Sequence, residues 1–165
     1  MTSRLILNLL DMLRLRSGPQ EMPPGWTIAA SLALAYIAQG FIADQVTGDH
    51  DGMPRSLVAI SVQLGIVGLL LNLRSYQSRF PQTVSALAGP GFICGLLSLL
   101  ILTRVDPGKP QPELALLYLF LFGWSLAVDA HIYRHALSVK FGIGALLAVM
   151  IFAVNFILLK TLFGT

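Results

Sequence analysis

Charge is scarce in this chain. Lys, Arg, Asp and Glu make up 12% of the 165 residues, about half the share usual in a soluble domain, against a hydrophobic content of 55% and a mean hydropathy of +0.74. A soluble protein of this size would have to turn long Leu and Ile runs toward water, whereas a bilayer accepts them as outer surface. Cysteine is nearly absent as well: Cys94 is the only one, so no intrachain disulfide can form. The 11 Lys and Arg lie scattered between apolar runs with no cluster or stripe, which excludes the electrostatic footprint of a nucleic-acid binder. Nor does any span carry a charge near its centre. The polar residues there are Tyr36, Gln63, Cys94, Ser98 and Ser125, and pumps and proton relays ordinarily need an ionisable group at depth.

What is present is hydrocarbon in membrane-sized pieces. Five apolar stretches run over 26–46, 56–73, 84–102, 114–130 and 139–159, and at about 1.5 Å per residue each reaches roughly 25 to 32 Å, the thickness of a bilayer core. Ahead of them, residues 2–16 place Arg4, Asn8, Asp11 and Arg14 at steps of four and three among leucines. That spacing predicts an amphipathic helix lying in the membrane surface, since the segment is too short and too polar to cross. Asn8, Asp11, Arg14 and Arg16 interrupt it where a cleaved signal peptide needs an unbroken apolar core. Ser17-Gly18-Pro19 and Pro23-Pro24-Gly25 then break the helix. The sequence therefore predicts an all-α polytopic transmembrane bundle in two parts: a surface helix and Pro/Gly turn over residues 1–25, and a five-span domain over 26–165. Residues 74–83 and 131–138 read as short connectors, making spans two and three, and four and five, antiparallel neighbours.

Orientation follows from the basic residues. Arg4, Arg14, Arg16, Arg74, Arg79, Arg134 and Lys140 fall on one side, and Arg55, Arg104, Lys109 and Lys160 on the other. The positive-inside rule places the N-terminus in the cytoplasm and the C-terminus outside, in a cell membrane of the bacterial inner-membrane type.

Candidate chemistry is sparse. His131 and His135 stand one helical turn apart with Asp129 beside them, a spacing able to hold a metal or haem, but two histidines do not complete a site. The plainer reading has His131, Tyr133, Arg134 and His135 anchoring a helix end in headgroups. Gly123-Trp124-Ser125-Leu126 is partly similar to the Gly-x-Ser-Gly of rhomboid proteases, but it lacks the last glycine and a later histidine to act as base. Asp49-His50-Asp51-Gly52 opens like a calcium loop without the glutamate that closes one. Gly91 and Gly95 form a small-residue track suited to close helix packing, and Gln39, Gln63, Asn72 and Asn155 suit hydrogen bonding between helices. No cofactor is expected.

In span number and order the chain resembles the Yip1-like membrane proteins, which join a cytoplasmic N-terminal segment to five spans. The segment 16–23 (Arg-Ser-Gly-Pro-Gln-Glu-Met-Pro) and the stretch 124–137, ending His-Ile-Tyr-Arg-His-Ala-Leu, also resemble small uncharacterised bacterial inner-membrane proteins. Neither resemblance implies catalytic residues. The residues point first to a non-enzymatic membrane component contacting lipid and a second membrane protein or another copy of itself. A small transporter or lipid-handling subunit using Gln39, Gln63, Asn72 and Asn155 is the alternative, and a metal or haem protein built on Asp129, His131 and His135 is the third.

Overall fold

A computed structural model describes residues 2–48, 52–106 and 108–164, which leaves Asp49, His50 and Asp51 of the acidic turn outside the described residues. Among the described residues six helices follow one another: α1 (Thr2–Leu13), α2 (Trp26–Thr47), α3 (Gly52–Leu73), α4 (Phe80–Leu102), α5 (Pro112–Ala136) and α6 (Phe141–Phe163), with 3-10 turns at Pro19–Glu21 and Gln77–Arg79. There is no strand among the described residues. Helices α2 to α6 are each long and apolar enough to cross a membrane. The chain is a multi-pass helical membrane protein.

Two expectations about the connectors fail. The stretch 131–138 is mostly helix, because α5 continues to Ala136. Two of its polar residues, His131 and Tyr133, are buried while Arg134 stays exposed, so the helix persists where packing covers one side of it. The second failure concerns spans two and three, since spans four and five are the close neighbours expected. Helix α4 packs most extensively on α2 and only slightly on α3, while α5 and α6 form the other close pair. A short connector joins helix ends without forcing their faces together, and the faces decide. Gly91 lies against the Tyr36 ring and Gly95 against the Gln39 amide, so the small-residue side of α4 admits α2.

Helices α1, α3 and α5 end alike. Leu15, Ser75 and Ser138 take positive φ (58°, 59° and 53°), and the next amide reaches back to close the turn: Arg16 to the Asp11 carbonyl at 2.8 Å, Tyr76 to Leu71 at 2.8 Å and Val139 to Arg134 at 2.9 Å. These are Schellman turns without glycine. Arg79 binds the last of them, donating to the Ala136 carbonyl at 3.2 Å and the Ser138 hydroxyl at 2.9 Å while its guanidinium lies 4.1 Å from the Tyr76 ring centre. A cation at a helix C-terminus meets the negative end of its dipole.

The bundle is closed at that end and splayed at the other. Residues Thr83 to Pro90 of α4 are all buried, as are most from Val128 to Ala136 of α5. Thr83 and Ser85 are fully covered because their hydroxyls donate to the Arg79 and Pro81 carbonyls of their own helix. At the opposite end Leu116 to Phe120 are all exposed, and an apolar gap of about 520 Å³ separates the end of α4 from the start of α5.

The N-terminal segment completes the closed end. Leu9 and Met12 of α1 are buried, Leu9 lies against Gly89, and the Trp124 indole donates to the Leu13 carbonyl at 3.1 Å. Gly89 is five residues inside the apolar run of α4 and Trp124 is six inside that of α5, so α1 packs roughly 8 Å in from the ends of those two runs. It rests on protein as well as lipid: Ile6 and Leu7 stay exposed on its other side.

Gly144 of α6 crosses the α5 backbone so closely that a Cβ there would overlap the Ala130 carbonyl and lie 3.0 Å from the Arg134 nitrogen. Backbone cannot yield as a side chain can. Gly144→Ala is expected to destabilise the fold by about 1 to 3 kcal/mol, read as a lowered unfolding midpoint in detergent, and an unchanged midpoint would show that α5 and α6 are not in this contact.

Candidate functional site

The interior of the bundle is not filled. A cavity of about 220 Å³ lies between α2, α3, α4 and α5, and its polar lining comes from Tyr36, Gln63, Cys94, Ser98, Ser125 and Asp129. A second cavity, about 310 Å³, lies between α3, α5 and α6 and adds Tyr133 and Asn155. Gln63, Phe122, Ser125 and Asp129 line both. The apolar gap at the splayed end shares Tyr118 and Phe122 with the first cavity. The gap thus adjoins the first cavity at Tyr118 and Phe122, and the two cavities share Asp129.

Helical spacing explains the convergence. On α5, Phe122, Ser125, Asp129 and Tyr133 follow at steps of three, four and four, which stacks them on one face. On α4, Leu87, Gly91, Cys94 and Ser98 do the same. Since α4 presents glycine at two of its contacts with α2, the helices meet there and leave the space beside them open.

Asp129 is five residues from the midpoint of α5, about 8 Å along its axis. Among the described residues no hydrogen-bond donor and no Lys, Arg or His pairs with its carboxylate. Its neighbours are otherwise engaged. Gln63 donates to the Tyr133 hydroxyl at 2.8 Å, and Ser125 donates to the Phe122 carbonyl at 2.7 Å. Asn155 has its side-chain oxygen buried with no hydrogen-bond partner.

The sequence-derived candidates separate accordingly. Gln63 bonds between helices, and Gln39 is buried against Gly95. Asn72 does not reach another span: it is exposed and accepts a hydrogen bond from Gln77 in the following turn. Asn155 lines a cavity and makes no such bond. The longer α5 and the cavities bring Asp129, about 8 Å from the helix midpoint, into the interior.

His131 and His135 point elsewhere. Their ring centres are 4.5 Å apart, and His131 Nε2 lies 3.1 Å from the Ser17 carbonyl oxygen. A carbonyl only accepts, so that nitrogen carries the proton and is not free to ligate a metal. Gln20 donates to the His135 carbonyl at 2.5 Å, and Gln82 to the Met22 carbonyl at 2.8 Å. Among the described residues no three His, Cys, Asp or Glu side chains gather to hold a metal. The histidines belong to the seam between the N-terminal segment and α5, which unites the two stretches 16–23 and 124–137.

No family model, curated protein or solved structure matches the chain.

The Gln63–Tyr133 pair is testable by itself. Tyr133→Phe is expected to cost about 1 kcal/mol, and in a double-mutant cycle with Gln63→Leu most of that cost should vanish. Strict additivity of the two substitutions in unfolding midpoints would mean that the bond is not made.

Proposed function

We propose that this protein is a non-enzymatic membrane component that admits a small ligand into its helix bundle, as a small transporter or lipid-handling subunit. The observation that carries this reading is the pair of cavities, adjoined by the apolar gap, that share a carboxylate without a protein partner. A buried acid is costly in hydrocarbon, about 2.5 to 3.5 kcal/mol at a helix centre. Such a group is retained where water or a ligand meets it, and a protein serving only as structural filler gains nothing by keeping it.

Cys94 reports on the cavity directly, being the only cysteine and part of the cavity lining. In lipid nanodiscs the folded protein is expected to react with methyl methanethiosulfonate, and Ser98→Phe, which fills the space, is expected to slow that reaction about tenfold. An unreactive Cys94 in the folded protein would leave no path to the cavity. That outcome would favour the competing reading, a partner-binding subunit, whose support is the uncovered apolar surface of Leu116, Leu117, Leu119 and Phe120.

The closed end faces the cytoplasm in this proposal and the splayed end faces outside. Arg14, Arg16, Arg74, Arg79, Arg134 and Lys140 gather around the closed end, the arrangement that the positive-inside rule assigns to the cytoplasmic side of a bacterial inner membrane. Single cysteines at Ser75 and Lys109 in a Cys94→Ser background check it: in intact cells an impermeant maleimide is expected to label position 109 and to spare position 75. The reverse pattern would invert the protein.

A further inference from the structure

We propose that the ligand of this cavity is an organic monocation, a small amphipathic amine whose ammonium group sits at Asp129 and whose apolar body lies among the surrounding rings. The inference rests on the ligand-handling reading above and specifies the chemistry. Both cavities together present one carboxylate and no Lys, Arg or His in their linings, so the site offers a negative charge with no counter-ion of its own. Beside it Asn155 holds a buried oxygen without a donor, and Gln63 gives its amide N–H to the Tyr133 hydroxyl. The unmet demand is for hydrogen-bond donors, which an ammonium supplies with a positive charge. An anion would meet repulsion from Asp129, and a neutral alcohol would leave the charge uncompensated.

The apolar walls favour the same guest. The rings of Tyr36, Tyr118 and Phe122 line the first cavity and those of Phe152 and Phe156 the second, and aromatic faces attract cations. A bare metal ion is a poor alternative, since it needs several oxygen or nitrogen ligands and only one carboxylate is at hand. Size agrees as well: about 220 Å³ exceeds the roughly 150 Å³ of an apolar void that takes benzene, leaving room for an aromatic ring with a short aminoalkyl arm.

The test compares three ligands of one shape, 2-phenylethylamine, 2-phenylethanol and 3-phenylpropanoate, by calorimetry on the full chain in nanodiscs of neutral lipid, with empty nanodiscs subtracted. The amine is expected to bind at least tenfold more tightly than the alcohol, and the carboxylate not at all. Asp129→Asn, a substitution of the same shape, is expected to abolish the preference for the amine while changing alcohol binding less than twofold. Equal binding of amine and alcohol to the unaltered protein, or a preference that survives Asp129→Asn, would overturn the cation assignment and leave the ligand-handling reading standing. Binding of none of the three to the unaltered protein would overturn both. The ligand series on the unaltered protein decides the question even if the variant fails to fold.

Discussion

The seam between the N-terminal segment and the ends of α4 and α5 determines how the rest of the bundle is arranged. Met12 and Met22 are buried in it, and hydrogen bonds stitch it at successive points: Asn8 donates to the Glu21 carbonyl, Ser17 to the Asn8 carbonyl, His131 to the Ser17 carbonyl and Gln20 to the His135 carbonyl. These bonds satisfy backbone carbonyls that lipid could not, and an unsatisfied group in the apolar layer costs several kcal/mol. With one end held, the helices need not meet at the other. The splayed half of α4 and α5 can then expose leucines to lipid at little cost, because hydrocarbon surroundings are as apolar as a protein core.

A bundle held at one end differs energetically from a uniformly packed one. Tight packing at the closed end supplies the dispersion contacts that stabilise helices in membranes, while Gly91 and Gly95 admit the Tyr36 and Gln39 side chains of α2 and Gly144 brings the α5 and α6 backbones together. Polar side chains between the helices then fall into two groups. Some are satisfied in the fold, as Gln63 and Tyr133 are by each other. Others, Asp129 and Asn155, face the cavities, and it is this second group that gives the interior its affinity for something other than protein.

Most of the helices were legible in the sequence because membrane spans are defined by the length of apolar runs, a local property. The stretch 131–138 was not. His131, Tyr133 and Arg134 are polar enough to suggest a connector, and only the arrival of Ser17 and Gln20 from more than 110 residues away makes helix the stable state. Helix pairing was illegible for a related reason: the six residues joining α3 to α4 restrict distance, and the residues at Tyr36, Gln39, Gly91 and Gly95 decide contact. The site did leave a trace. Phe122, Ser125, Asp129 and Tyr133 repeat at helical spacing, and extending α5 past Ala130 turns Asp129 from a span-end residue into an interior one. That Gln63 and Asn155 of two other helices line the same cavity had no local signal.

The central claim is that Asp129 faces open space inside the bundle and lacks a partner from the protein. An experimental structure in lipid nanodiscs, at a resolution that shows ordered water, tests it most directly. The account predicts non-protein density touching the Asp129 carboxylate, between Tyr36 and Gln63, with α4 and α5 apart at Leu102 and Leu114. Helices closed around that carboxylate, or a protein cation paired with it, would contradict the account.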